Sequence, residues 1–211
     1  MTKIDFPHRL IVTGTDTDIG KTVVSAVLTA GLAAIYWKPV QSGAEGQADR
    51  EWVREKTGLG KSHFPPEAYL LRAPVSPHLA AAMEGVTIDL SRIIPPPLPP
   101  GISHMIIEGA GGVLAPLNDR QFMIDLFRQL DAPALVVAPS RVGMINHTLL
   151  TVDQLRRYNI PVFGVIMNGP RNGENKKAVE RYGRVPVIGE IEPMASVTPE
   201  ELMRTFDNCF N

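Results

Sequence analysis

The apolar residues of this chain fall into short, near-continuous runs, separated by longer stretches in which they recur at helical spacing. The runs cover residues 10–12, 34–40, 105–107, 134–138, 162–167 and 185–188. They are rich in Val and Ile and lack the polar alternation of a strand with one wet face, so they read as parallel strands buried on both sides. The stretches between them predict helices over 21–33, 49–57, 76–84, 122–130, 145–158, 175–182 and 198–210. The last opens on Thr198-Pro199-Glu200-Glu201, a hydroxyl cap followed by a proline in the first turn and a carboxylate three residues after the cap. Alternation of this kind predicts an α/β fold. It would be a single domain over residues 1–211, with a mostly parallel central sheet of about seven strands flanked by helices. Ligands of such sheets bind at the carboxyl ends of the strands, so chemistry is expected in the loops that follow each strand.

Composition narrows the partners. An apolar fraction of 44% and a charged fraction of 20% are those of an ordinary globular protein with one core. Lys and Arg number 21 against 22 Asp and Glu, a net charge of -1. No basic field calls for nucleic acid, and no charge block calls for an anionic membrane. Cys209 is the one cysteine, which excludes an internal disulfide and a zinc cluster of the usual spacing. Residues 1–9 carry no apolar signal segment, and no run approaches the roughly 20 residues of a membrane span; a cytoplasmic location is expected. The proline-rich segment 95–100 reads as a stiff surface connector, a peptide-recognition motif being the other use of such a stretch.

The densest chemistry follows the first run. Gly14-Thr15-Asp16-Thr17-Asp18-Ile19-Gly20-Lys21-Thr22 lies between a strand and a helix, the context a P-loop requires, with one residue more between its glycines than the usual pattern. Gly20 lets the backbone approach a phosphate, and the N–H groups that open the helix form an anion nest. Lys21 would reach the terminal phosphates, and the Thr22 hydroxyl can serve a magnesium ion. Glu108 ends a buried run and precedes Gly109-Ala110-Gly111-Gly112, which suits a carboxylate facing the phosphates; a solvated strand end is the alternative. Asp49 is either a ligand of the same ion or the cap of the helix it begins. Lys38 interrupts an apolar run and is followed by Pro39-Val40-Gln41-Ser42-Gly43. There it either meets an anion or snorkels to solvent. His147, in the first turn of a helix, reads as a packing or capping residue ahead of an acid–base group, and His78, beside Pro77 at a helix start, is assigned no chemistry.

Together these segments resemble the dethiobiotin synthetase family. The resemblance runs through residues 12–22, 38–43, Ser76-Pro77-His78, residues 108–112, Pro116-Leu117, residues 143–147, Asn168 and Gly189-Glu190-Ile191, in the family's order and over most of the chain. It implies an ATP-dependent ligase that uses CO2 and 7,8-diaminononanoate and forms dethiobiotin, ADP and phosphate. Carried over, Lys38 and Lys21 are the catalytic residues. ATP is held by Asp18, Ile19, Gly20, Lys21, Thr22, Val23, Asp49, Glu108, Gly109, Ala110 and Gly111, with Asn168, Gly169 and Pro193 on the base side. Thr17, Ser42, Ser76, Gly111, Met144 and Asn146 border the diamine, and Thr22, Asp49 and Glu108 hold Mg2+. The family works as a homodimer, in which Met144 and Asn146 would serve the neighbouring subunit's substrate. Three departures stand out: Asp18 where Glu is common, a short segment between Lys38 and Asp49, and Glu192-Pro193-Met194 on the base side.

The implied chemistry makes sense of the paired lysines. CO2 adds to an uncharged amine to give a carbamate, which becomes an electrophile when phosphorylated; the second amine then closes the ring. The protein's work is positioning and neutralising charge, and two lysines on one site are tolerable only around several anionic oxygens. Two other readings share the P-loop fold. A partitioning or positioning ATPase usually carries a lysine early in the loop, where this chain has Thr15 and Asp16. An amidating synthetase of the cobyrinate type usually carries an added glutamine-hydrolysing domain, for which this chain is too short.

Overall fold

The computed structural model describes residues 4–210, so the ends of the expected domain, residues 1–3 and 211, lie outside the described residues, as does the start of the polar segment 1–9. The strands are β1 (Arg9–Gly14), β2 (Ile35–Trp37), β3 (Val40–Gln41), β4 (Tyr69–Leu70), β5 (Met105–Gly112), β6 (Ala134–Pro139), β7 (Val162–Asn168) and β8 (Val187–Ile191). The helices are α1 (Lys21–Gly31), α2 (Asp49–Thr57), α3 (Pro77–Met83), α4 (Met123–Leu130), α5 (Met144–Arg157), α6 (Gly173–Gly183) and α7 (Pro199–Phe210). Six strands form one parallel sheet in the order β2-β5-β1-β6-β7-β8.

The main sheet has six strands, one from each apolar run, where about seven were expected, and the run 34–40 gives it only Ile35–Trp37. Pro39 follows Lys38 and has no N–H to give a ladder. Its carbonyl instead accepts from the amides of Ala68 and Tyr69. The chain leaves the sheet there, and β3 pairs with β4 in a separate two-stranded piece. Lys38 therefore stands at the exit of β2, at the carboxyl edge of the main sheet.

Alternation along the strands feeds two cores. Leu10, Val12, Tyr36 and Ile106 join α1, α2 and α7 on one face through Val24, Val27, Leu28, Val53, Leu202, Phe206 and Phe210. Ile11, Ile35, Trp37, Met105 and Ile107 join α4, α5 and α6 on the other through Ile124, Phe127, Val152, Leu155 and Val179. This is why the runs are continuous rather than alternating: both faces are covered. Strand β1 lies between β5 and β6, so the chain's direction of winding changes at its carboxyl end. That is the crevice where such sheets bind ligands. No described helix is long and apolar enough to cross a membrane.

Candidate active site

The loop from Gly14 to Gly20 crosses that crevice. Gly20 caps α1 with φ 90°, a left-handed conformation that costs other residues energy. A Cβ there would lie 2.0 Å from Nδ2 of Asn168. The space is taken by a cross-link, in which Asn168 at the end of β7 donates to the carbonyl of Ile19 at 2.9 Å. Gly14 is crowded too, since a Cβ would meet Ile19 at 2.5 Å and the Lys21 stem at 3.1 Å. Lys21 is buried, and its ammonium donates to the carbonyl of Asp16 at 2.7 Å. Burial, with Lys38 nearby, holds it below its ordinary value, while Glu108 works in the opposite direction. A phosphate supplied to this loop would meet a cation that water barely solvates.

Glu108 is the hub. It sits on β5 with no exposure at all. Its Oε1 accepts from the Thr22 hydroxyl at 3.0 Å and from the Lys38 ammonium at 2.9 Å. Its Oε2 accepts from the Tyr36 hydroxyl at 3.0 Å. Burial alone would raise the Glu108 carboxyl, but the charge and hydrogen bond of Lys38 outweigh it and hold the group below its ordinary value. Lys38 is paired a second time, with Asp49 at the start of α2. Burial would lower its ammonium; Glu108 and Asp49 overcome that and raise it. The snorkelling alternative for Lys38 is thereby removed, because the side chain is 7% exposed and its charge is met inside the protein. The solvated-end alternative for Glu108 falls with it. Asp49 is the first residue of α2, whose cap is Ala48. Its amide donates to Oε1 of Gln41 at 3.2 Å, and Gln41 donates to the carbonyl of Ser42 at 2.6 Å. This link sets the carboxylate toward Lys38.

The other expected residues divide into those that gather here and those that do not. Asp18 (φ 53°) is exposed, and Thr17 lies close enough to Gly111 that a Cβ on the glycine would sit 3.7 Å from the threonine methyl. Ile19 is buried, and Thr22 and Val23 are half-buried in the first turn of α1. Gly109 and Ala110 are packed in β5, and a Cβ on Gly109 would strike the Phe127 ring at 2.5 Å. Ser42 and Ser76 are half-buried on segments tied to the same mouth. Gly43 donates to the carbonyl of Ala73, and His78 donates its amide to the carbonyl of Pro116. Gly169 donates to the carbonyl of Ile191, joining the loops after β7 and β8, and Pro193 beyond them is exposed.

Met144 is placed differently from Asn146. Its side chain is 1% exposed, in the core beneath α5, and its amide is bonded to the carbonyl of Arg141. Asn146, two residues on, is exposed. A cavity of about 360 Å³ opens between the phosphate loop, the loop after β5 and α5. It is lined by Thr15, Asp16, Leu114, His147, Leu150 and others. A larger recess of about 460 Å³ runs along β8 between α6 and α7, lined by Arg171, Lys176 and Glu190 and not by Lys21, Lys38, Asp49 or Glu108. Of the two, the smaller borders the phosphate loop, through Thr15 and Asp16.

Tyr36, Gln41 and the Asp16 carbonyl are site members that the sequence reading did not single out. For Tyr36 there was a signal: two residues before Lys38 on a strand, it must project from the same face. Burial, and Glu108 beside it, push its phenol well above its usual range, so it remains a hydrogen-bond donor.

The carboxylates of Asp49 and Glu108 converge on the Lys38 ammonium, and the Thr22 hydroxyl donates to the same Glu108 oxygen. That donor set fits magnesium, which binds through one or two carboxylates and takes its remaining oxygens from phosphates and water. Among the described residues no group of three His, Cys, Asp or Glu could form an all-protein metal cage.

Comparison with known proteins places this arrangement. The family model described as an AAA domain matches residues 8–201. The ATP-dependent dethiobiotin synthetase BioD of Paramagnetospirillum magneticum is 47% identical over 189 residues, covering 90% of each chain. That of Agrobacterium fabrum is 43% identical over 203 residues, covering 96% of this chain and 94% of its own. Among solved structures, the MinC:MinD cell division protein complex of Aquifex aeolicus superposes with a TM-score of 0.55 at 13% identity, covering 94% of this chain and 86% of the other. At that identity the likeness is one of fold alone.

Proposed function

The chain belongs to the ATP-dependent dethiobiotin synthetase family, and from that premise we propose how its residues close the cyclic urea of dethiobiotin from 7,8-diaminononanoate, CO2 and ATP. The observation that carries the reading is the Lys38 ammonium, bonded at once to Glu108 and Asp49 beside the phosphate loop. An ammonium has three N–H donors. Two are engaged, and the third is available to the anion that forms when CO2 adds to the diamine. Lys38 then holds the carbamate oxygen in line with the terminal phosphate of ATP. Lys21 leaves the Asp16 carbonyl for that phosphate and stabilises its charge as it moves. The anion nest at the start of α1 keeps the remaining phosphates in place. Thr22, Asp49 and Glu108 would hold magnesium, which when bound neutralises phosphate oxygens.

Thr17, Ser42, Ser76 and Gly111 border the diamine at the mouth of the cavity. The mixed carbamic–phosphoric anhydride must be kept from water until the second amine attacks. Enclosure by the loops after β1 and β5 serves that need. Asn168, whose amide is already bound to the carbonyl of Ile19, ties the base side to the phosphate loop, with Gly169 and Pro193 completing that edge. Asn146 serves a neighbouring subunit in a two-fold dimer, and the enzyme works in the cytoplasm.

The test is product formation. The purified protein, given the diamine, bicarbonate, ATP and magnesium, is expected to release ADP and phosphate in step with a product of the mass of dethiobiotin. ATP hydrolysis that is indifferent to the diamine, with no such product, would sink the assignment.

A further inference from the structure

We infer that Tyr36 is a positioning residue for the magnesium site, acting through Glu108; the inference rests on the metal role just given to that carboxylate. A carboxylate on a strand has a broad, nearly two-fold terminal torsion and can turn either oxygen, or both, toward an ion. Glu108 is not free to do so. The Tyr36 hydroxyl holds Oε2 at 3.0 Å from the side of β2, while Oε1 is left to Thr22 and Lys38. Tyr36 is itself fully buried. Its ring is clamped against Phe64, at 6.4 Å between centroids. Pairing of β2 with β5 puts Tyr36 beside Ile106, two residues before Glu108. The hydroxyl is therefore fixed by the sheet, and it fixes the carboxylate in turn. Glu108 is made to present one oxygen to the phosphate loop, the mode suited to an ion that demands near-ideal octahedral geometry. A phenol buried among apolar side chains with no other described partner has no evident use except this one.

Tyr36→Phe removes one oxygen and keeps the ring. The readout is the affinity of a non-hydrolysable ATP analogue, measured by equilibrium binding with and without magnesium, beside the magnesium concentration that gives half-maximal turnover. In the variant, affinity without magnesium should match the wild type. The gain in affinity on adding magnesium should shrink about tenfold, and the half-maximal magnesium concentration should rise by a similar factor, as for a lost hydrogen bond to a charged group. The KM for the diamine should stay put. Tyr36→Leu, which loses the ring as well, should melt lower than Tyr36→Phe yet show the same magnesium defect, tying that defect to the hydroxyl. An unchanged magnesium response in Tyr36→Phe overturns the inference while leaving the proposed reaction intact. Equal losses with and without magnesium overturn it in favour of a packing role. A wild-type protein whose analogue affinity ignores magnesium overturns both this inference and the metal reading beneath it.

Discussion

Lys38 occupies a sequence context that fits two roles, a lysine waiting for an anion or one reaching for water. In the fold it does a third thing first: it neutralises two carboxylates, one of them wholly buried. Lys38→Gln should lower dethiobiotin formation by roughly 100-fold or more, the order seen when one preorganised transition-state donor is lost. The ATP dissociation constant should move far less, since Lys21 and the backbone nest carry that load. The sequence alone suggests that such a variant folds without penalty, because a lysine facing an anion site adds nothing to stability. The Glu108 contact changes this expectation. Removing one partner of a buried pair costs about 3 kcal/mol or more, and the cost has a pH signature. In the wild type the Glu108 carboxyl is held below its ordinary 4.5 despite its burial. Its stabilising contribution is therefore present above 4.5 and lost as pH falls through the depressed folded value. Without Lys38, burial dominates and the folded value rises. The variant then bears a penalty at neutral pH that fades as Glu108 takes up a proton. Thermal melts should show the gap between the two proteins widest near pH 7 and closing toward the acid side of 4.5. A constant gap across that range would mean that Lys38 does not set the charge of Glu108. Lys38, Glu108, Asp49 and Thr22 were legible because charged and hydroxyl residues are conspicuous beside buried runs. Tyr36 was not, because a tyrosine in an apolar strand reads as core, and only the neighbouring strand shows what its hydroxyl meets.

At the scale of elements, the strand-to-helix junction from β1 to α1 carries the phosphate site, and Gly20 is its pivot. Its left-handed φ and the 2.0 Å approach to Asn168 are separate obstacles to any side chain. Gly20→Ala should lose about 1–3 kcal/mol of stability to backbone strain and also push Asn168 off the Ile19 carbonyl. That second loss reaches across the sheet to β7, so ADP affinity should fall by roughly tenfold, about the worth of one well-made hydrogen bond with its geometry. Thermal melts and ADP titration measure the two effects. Intact ADP binding in a destabilised variant would mean that the cross-link matters to folding only. The elements themselves were largely readable, since continuous apolar runs mark doubly covered strands and the last helix opens on its Thr198 cap. Two misjudged places have physical causes. Apart from Lys38 the run 34–40 reads as one strand, because hydropathy does not register that Pro39 lacks a ladder donor. The last strand begins at Val187 rather than two residues earlier, because its register is set by pairing with β7, which no local pattern encodes.

At the scale of the molecule, the mouth of the site is lined by apolar surface that the single chain leaves uncovered. Leu114 and Leu150 are about half exposed (47% and 58%), and Val142, in the turn before α5, is entirely so. Leu114 and Leu150 border the cavity that holds His147, Thr15 and Asp16. Apolar side chains grouped at a polar site mark a surface that meets a partner, and a second copy of the chain is the partner that the family implies. Asn146 is exposed at the start of α5, where free N–H groups favour a carboxylate, whereas the Met144 side chain is buried. If Asn146 serves the neighbour's site, Asn146→Ala should raise the KM for the diamine and leave that for ATP alone. A second experiment separates reach across the dimer from a local effect. Lys38→Gln and Asn146→Ala subunits are each slow as homodimers at low diamine. When they are mixed and allowed to exchange, half of the dimers become hybrids. In a hybrid, both lesions fall in one composite site and the other site is whole, so activity should recover to about a quarter of the wild-type rate in a two-fold dimer. If Asn146 acts on its own subunit's site, every site in the hybrid carries one lesion, and mixing gives only the average of the two slow parents. Light scattering on the mixture establishes that dimers are present. A fully active monomer would remove the partner altogether and leave the exposed leucines and Val142 without an occupant.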